Sequence, residues 1–201
     1  MSALAPLYGV VLAGGASRRM GRDKAMLEYR GRSQVAIAFD LVSRHCQRTF
    51  VSVRPEQTDD PARAALPQIV DEVTDLGPIA GIAAAQAAHP GAAWLVVACD
   101  LPFLGDAALA RLAAARGVDA IVAYRSSHDG LPEPLCAIYE PSTGAAILDA
   151  IARGRRCPRK FIIESGVPLL EQADPAALDN VNTPQEFASA LARLDTGNGA
   201  Q

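Results

Sequence analysis

Leu7-Tyr-Gly-Val-Val-Leu-Ala-Gly-Gly15 is a short apolar run, β-branched at its centre, that ends in two glycines. Such a run is a buried strand feeding a glycine loop. The loop, Ala13 to Asp23, carries three glycines and three arginines and delivers Lys24. Beyond it, Ser33 is placed to cap a helix to about Cys46, with Val35, Ala38, Phe39 and Val42 on one face. Thr49–Val53 and Gln68–Val70 follow as strands, and Leu76-Gly77-Pro78 breaks the chain before an alanine-rich helix, Ile79–Ala88.

The same alternation continues to the carboxyl end. Trp94–Ala98 is a buried strand stopped at Cys99-Asp100, and Asp106 is placed to cap a helix to about Arg116. Ala120–Tyr124 is a strand, Ser126–Pro134 a turn-rich loop, Leu135–Tyr139 a strand and Ser142–Ala152 a helix. A basic helix or loop with Pro158 near its start precedes a strand at Val167–Leu170. Pro184 opens a last helix, and the polar end of the chain, residues 196–201, reads as a disordered tail. Strands alternating with helices predict one α/β domain over residues 1–195, a doubly wound, mostly parallel sheet with helices on both faces. Ligands in such sheets bind beyond the carboxyl ends of strands. Ala13–Lys24, Asp71–Gly81 and Cys99–Leu104 fall at those ends.

Composition narrows the function classes. The chain has 201 residues, half of them hydrophobic, with 39 alanines and a net charge of −3. That suits a single globular domain and excludes disorder for the bulk of the chain. The acidic balance and the few aromatics argue against nucleic acid as a partner. No apolar run is long enough to span a membrane, and the amino terminus lacks the pattern of a signal peptide, so a cytoplasmic protein is expected. Cys46, Cys99, Cys136 and Cys157 show no zinc or redox spacing and are expected to pack as small hydrophobes.

The chemistry-bearing residues sit in the strand-end segments. Gly14 and Gly15 let backbone N–H groups approach an anion, and Arg18, Arg19 and Lys24 add the positive charge a triphosphate needs. The loop is neither a Walker A loop nor a dinucleotide fingerprint. Asp100 can hold Mg2+, which accepts one or two protein carboxylates together with phosphate oxygens and water. A helix cap is the plain alternative. Asp71 can accept hydrogen bonds from a sugar or base, or merely cap. Gly77-Pro78-Ile-Ala-Gly81 opens a helix with small residues, so a ligand can approach its positive end. In Asn180-Val-Asn182-Thr-Pro184, one asparagine is expected to face the site and the other the scaffold. Asn182 is a candidate neutral ligand, and Thr183 a candidate cap for the last helix.

Together the motifs resemble those of the nucleotidyltransferase superfamily that includes the molybdenum cofactor guanylyltransferases of the MobA type. The match reads Leu12-Ala-Gly-Gly-x-Ser-Arg-Arg-Met-Gly-x-Asp-Lys24, then Asp71, Gly77-Pro-x-x-Gly81, Cys99-Asp100-x-Pro102 and Asn180-Val-Asn-Thr-Pro184. The resemblance implies a Rossmann-like fold and transfer of GMP from GTP to molybdopterin or Mo-molybdopterin, releasing pyrophosphate and requiring Mg2+. It implies nucleotide contacts from Leu12, Ala13, Gly14, Gly15, Lys24, Asp71, Gly77 and Asp100. Lys24, Asp100 and Arg19 would be the catalytic groups, with Mg2+ on Asp100 and, as a further ligand, Asn182. Molybdoenzymes or their chaperones would be partners. Relatives that use CTP usually read Ala-Ala-Gly where this chain reads Ala13-Gly14-Gly15, which favours guanine; a CTP-using relative or another phosphate acceptor is the alternative. The chain departs at Val51-Ser-Val-Arg54, where guanylyltransferases often carry Val-Asn-Ala-Asn, and at Glu133-Pro134, where a histidine–proline pair is common.

Overall fold

β1 (Leu7–Leu12) lies inside a seven-stranded sheet, in parallel register with β4 (Arg48–Val53) on one side and β6 (Ala93–Ala98) on the other. The structure is a computed structural model and describes residues 4–15, 23–71, 73 and 76–196. Arg18, Arg19 and residues 197–201 of the expected tail therefore lie outside the described residues, while Thr196, the first residue of that tail, closes the last helix instead. Beyond β4 comes β5 (Gln68–Val70), also parallel. Beyond β6 come β8 (Pro132–Tyr139), β7 (Ile121–Arg125) and β9 (Leu169–Leu170). β8 runs antiparallel to both β6 and β7, and β9 pairs with β7 in parallel. A separate two-stranded hairpin, β2 (Glu28–Tyr29) with β3 (Arg32–Ser33), leads into α1 (Gln34–Ser43).

The strands are apolar on both sides, as buried parallel strands must be. Along β1, Val11 enters one core and Val10 the other. α1 and α3 (Asp106–Ala114) cover the first face with Val35, Leu41, Val42, Leu109 and Leu112. The second face is covered by α2 (Pro78–Ala88), α4 (Thr143–Ala152) and α5 (Pro158–Ser165), through Ile79, Ile82, Ile147 and Ile162. Each such fully buried aliphatic side chain contributes about 1.5–3 kcal/mol. A third, smaller cluster joins the β2–β3 hairpin to α6 (Pro184–Thr196), with Tyr29 edge-on to Phe187. This is the doubly wound α/β arrangement that the alternation of elements predicts.

Local details differ from the sequence reading. α3 is capped by Gly105, and Asp106 is its first helical residue, carrying a carboxylate paired with Arg44 and His45. Ser33 precedes α1 but makes no side-chain cap bond. β8 begins at Pro132, so the loop after β7 is shorter than expected; pairing of Pro132 and Glu133 with Arg125 and Tyr124 of β7 satisfies backbone groups that a loop would leave to water. Cys99 and Cys136 are buried, Cys46 is half-buried, and Cys157 is exposed because it lies at the amino end of α5.

Candidate functional site

A cleft of about 540 Å³ opens at the carboxyl ends of β1, β4 and β6. Its floor is Leu12, Ala13, Ser52, Ala98 and Cys99, with Gly14 and Gly15 on one wall and Gly77, Pro78 and Gly81 of α2 on another. The sheet order explains the opening. The chain leaves β1, builds β4 and β5 on one side, and returns through α2 to β6 on the other, so the loops after β1 and β6 diverge. Gly81 lets α2 lie against the sheet: a Cβ there would stand 2.7 Å from Ser52 Oγ and 2.8 Å from Leu12 Cδ2. Gly77, at φ 70°, adopts the left-handed conformation that turns the chain into Pro78 at the head of α2. Pro78 carries no N–H and the Ala80 N–H donates to the Gly77 carbonyl at 3.1 Å, so it is the positive end of the helix dipole that favours an anion here.

Three candidate residues from distant parts of the chain converge at the mouth of this cleft. Lys24 Nζ donates to Asp100 Oδ2 at 3.0 Å and also to Asn182 Oδ1. Each is held by local structure. Asp23 accepts from the Ala25 N–H at 3.0 Å and caps the single 3-10 turn that begins with Lys24. Asp100 follows β6 directly, and its carbonyl accepts from the Val181 N–H at 3.0 Å. Asn182 is fixed from the other side: Glu186 accepts from the Asn182 and Thr183 N–H groups, while Thr183 Oγ1 accepts from the Glu186 N–H. That reciprocal pair is a capping box on α6, so Thr183 caps the helix as the sequence suggested. Asn180 faces a separate hollow of about 670 Å³ with Phe103, Arg159 and Arg193.

The charges around the site are matched. Burial, and then the negative charge of Asp100, push the Tyr29 hydroxyl up to about 12. Burial also pushes the Cys99 thiol up to about 12, with Asp100 and Asp23 adding to it, so the cysteine beside Asp100 stays a thiol and not a nucleophile. Asp71 lies outside the lining residues, at the end of β5, where its N–H donates to the Val53 carbonyl and its carboxylate accepts from the Val73 N–H. Desolvation raises its pKa, opposed by that N–H.

The donor set suits a hard divalent cation. The Asp100 carboxylate and the Asn182 amide oxygen are both oxygens, one anionic, and both already point at one positive charge. Magnesium takes only one or two protein carboxylates and completes its shell with phosphate oxygens and water.

Some cleft residues carry no motif that singles them out. Ser52 and Leu135 reach the cleft only because of strand register. Arg54 lines it where the resemblance expects asparagine. Arg63, fully buried, contacts both Ala13 and Asp23; it comes from the segment between β4 and β5, where no hydrophobic periodicity marks an element.

Comparison with known proteins agrees with this geometry. The family model "MobA-like NTP transferase domain" matches residues 9–169. A molybdenum cofactor guanylyltransferase from Pseudomonas fluorescens is 34% identical over 186 residues, covering 90% of this chain and 91% of that protein. A molybdenum cofactor biosynthesis bifunctional protein from Synechocystis is 34% identical over 183 residues; the match covers 90% of this chain but only 53% of that longer protein. Among solved structures, molybdopterin-guanine dinucleotide biosynthesis protein A from Archaeoglobus fulgidus superposes with a TM-score of 0.76 at 22% identity, covering 94% of this chain and 99% of that one. The cleft, its converging lysine, aspartate and asparagine, and the family match over residues 9–169 agree, and the chain belongs to the MobA-like NTP transferase family.

Proposed function

We propose that this chain transfers GMP from GTP to the terminal phosphate of molybdopterin or Mo-molybdopterin, releasing pyrophosphate, with Mg2+ as the metal. The observation that carries the proposal is the meeting of Lys24, Asp100 and Asn182 at the mouth of a cleft built from a glycine loop and a helix amino end. Similarity to molybdenum cofactor guanylyltransferases over most of the chain supports guanine and this acceptor.

In this mechanism an acceptor phosphate oxygen attacks the α-phosphorus in line, a new P–O bond forms, and the bond to pyrophosphate breaks. Positioning and charge neutralisation dominate such transfers, and no protein nucleophile is needed. Lys24 neutralises charge growing on the leaving pyrophosphate, assisted by the amides of Gly14 and Gly15 and by the amino end of α2. Arg19, on the same loop as Lys24 in sequence, would add to that charge. Asp100 and Asn182 would hold magnesium, which when bound supplies charge neutralisation at the phosphates. Asp71, outside the lining but bonded to the cleft-lining Val73, would accept from the nucleoside. The acceptor side gains positive charge from Arg155, Arg156 and Lys160, which with Cys157 line a hollow of about 490 Å³ after α4. A cytosolic setting, and hand-over of the product to molybdoenzymes, belong to the same proposal; among the described residues no helix is long and apolar enough to cross a membrane.

The test is calorimetric titration of GTP, CTP and ATP in the presence of Mg2+, followed by pyrophosphate release with molybdopterin as acceptor. GTP bound at least about 10-fold more tightly than CTP, a difference of about 1.4 kcal/mol, is the expected result. Equal or tighter binding of CTP would replace guanylyl with cytidylyl transfer.

A further inference from the structure

The one fully buried arginine among the described residues is not part of the cleft lining, yet it touches both rims of the phosphate loop. Arg63 Nη2 donates to the Ala13 carbonyl at 2.8 Å and to Asp23 Oδ2 at 2.6 Å. Ala13 is where the chain leaves β1, and Asp23 is the residue before Lys24. A single nitrogen thus ties the two ends of the loop together. Its other terminal nitrogen lies 3.1 Å from Asp60 Oδ2, and the Arg63 carbonyl accepts from Gln68 Nε2 at 3.0 Å. The guanidinium is therefore anchored to the edge of the sheet rather than carried by the loop it holds.

We propose that Arg63 is a positioning residue for triphosphate binding: through Asp23 it fixes where Lys24 is presented, and through Ala13 it fixes where the glycine amides begin. The inference rests on the assignment of this cleft to a nucleoside triphosphate. The argument is electrostatic as well as geometric. Burying a guanidinium is costly unless its charge is paired, and here Asp23 and Asp60 supply the pairing, although only Nη2 makes hydrogen bonds while Nε and Nη1 are buried without a hydrogen-bond partner. Asp23 then performs two tasks with separate oxygens, holding Arg63 with Oδ2 and capping the Lys24 turn with Oδ1. Loss of the guanidinium leaves the turn capped but free to shift relative to Ala13. The charge-assisted bonds to phosphate that a misplaced Lys24 fails to make are each worth about 10- to 100-fold in affinity. Base and ribose would then bind against the other walls of the cleft, such as Gly77, Pro78 and Gly81, and not through this latch.

The experiment compares triphosphate with nucleoside. Affinities of GTP, ATP, CTP and UTP, each with its own nucleoside, are measured by competition for the wild type, Arg63→Lys, Asp23→Asn and the double variant, with thermal midpoints recorded alongside. The result expected is a loss of about 10- to 100-fold in triphosphate affinity in each single variant, with nucleoside affinity unchanged and the double variant no worse than the weaker single. Equal losses for nucleoside and triphosphate would make Arg63 a merely structural residue, and unchanged triphosphate affinity or additive losses would also overturn the proposal. If Arg63→Lys does not fold, Asp23→Asn decides alone, since it breaks the ion pair while its amide oxygen can still cap Ala25. A wild type that prefers a nucleotide other than GTP would overturn the guanylyl assignment and leave this triphosphate-to-nucleoside ratio as a valid test.

Discussion

Gly81→Ala is the sharpest probe of how the fold makes the site. An alanine Cβ at this point of α2 would stand 2.8 Å from Leu12 Cδ2 and 2.7 Å from Ser52 Oγ. Carbon atoms pack best at about 3.5–4.0 Å, so roughly 1 Å of room must be found. The serine hydroxyl can rotate and the half-buried Leu12 side chain can swing, but the rest must come from α2 lifting off the sheet. Overpacking of this kind costs about 1–3 kcal/mol. Alanine returns about 1 kcal/mol of helix propensity, leaving a net loss of about 0–2 kcal/mol. For a chain of this size that lowers the thermal midpoint by at most about 8 °C, so the protein stays folded. Function suffers more, because the lifted helix carries Gly77 and Pro78 with it, and a misplacement of about 1 Å costs up to about 100-fold in binding or turnover. Scanning calorimetry and GTP titration on Gly81→Ala check both numbers. Gly91→Ala, where a Cβ would meet nothing within 4 Å, serves as the control. A folded Gly81→Ala protein with wild-type GTP affinity would refute the claim that this glycine sets the height of α2 over the cleft.

Other perturbations separate the remaining parts. Asp100→Ala is expected to keep the fold but lose about 100-fold or more of Mg2+-dependent turnover, read by pyrophosphate release; near-normal turnover would place the metal elsewhere. Lys24→Ala is expected to weaken GTP binding and leave guanosine binding almost unchanged, read by competition. Asp71 has its pKa raised, chiefly by burial, so the fold favours its protonated form. Its own contribution to stability is therefore present below the unfolded pKa and is lost as pH rises through the raised value. Nucleotide affinity should rise as pH rises through that raised value and the carboxylate becomes an acceptor; Asp71→Asn should flatten the profile. Thiol titration near pH 8 should find Cys157 fast, since Cys46, Cys99 and Cys136 are all pushed up to about 12, chiefly by burial, and all four should react after denaturation.

The sequence was most legible where one physical signal acted alone. Val10 and Val11 or Trp94 to Ala98 are apolar on consecutive positions, which only a strand buried on both faces requires, and β1 and β6 lie where that signal puts them. Lys24, Asp100 and Asn182 could be named because each sits at a strand end or helix start with a partner motif nearby. What stayed hidden depends on pairing between distant segments. The direction of β8 follows from hydrogen bonds to β6 and β7, and nothing in Pro132–Tyr139 distinguishes an antiparallel strand from a parallel one. Asp106 has the side chain of a cap, but Arg44 and His45 hold its carboxylate, leaving Gly105 at the cap position. Arg63 looks like an ordinary surface arginine until the loop rims close around it.

The topology also explains why Lys24 sits among residues so far from it in the chain. Lys24 and Asn182 are separated by 158 positions, Lys24 and Asp100 by 76. No local rule brings them together, yet each is anchored within its own neighbourhood: Lys24 by the Asp23 cap, Asp100 by the end of β6, Asn182 by the capping box and by Val181 on the Asp100 carbonyl. The sheet order supplies the rest, because β1 and β6 are neighbours and their carboxyl ends point the same way. A site assembled from separately anchored parts is held in place before any ligand arrives, and this pre-organisation is what phosphoryl transfer demands. It also means that the side chains at the tip can be changed without dismantling what supports them, so their removal should register in binding and turnover far more than in stability.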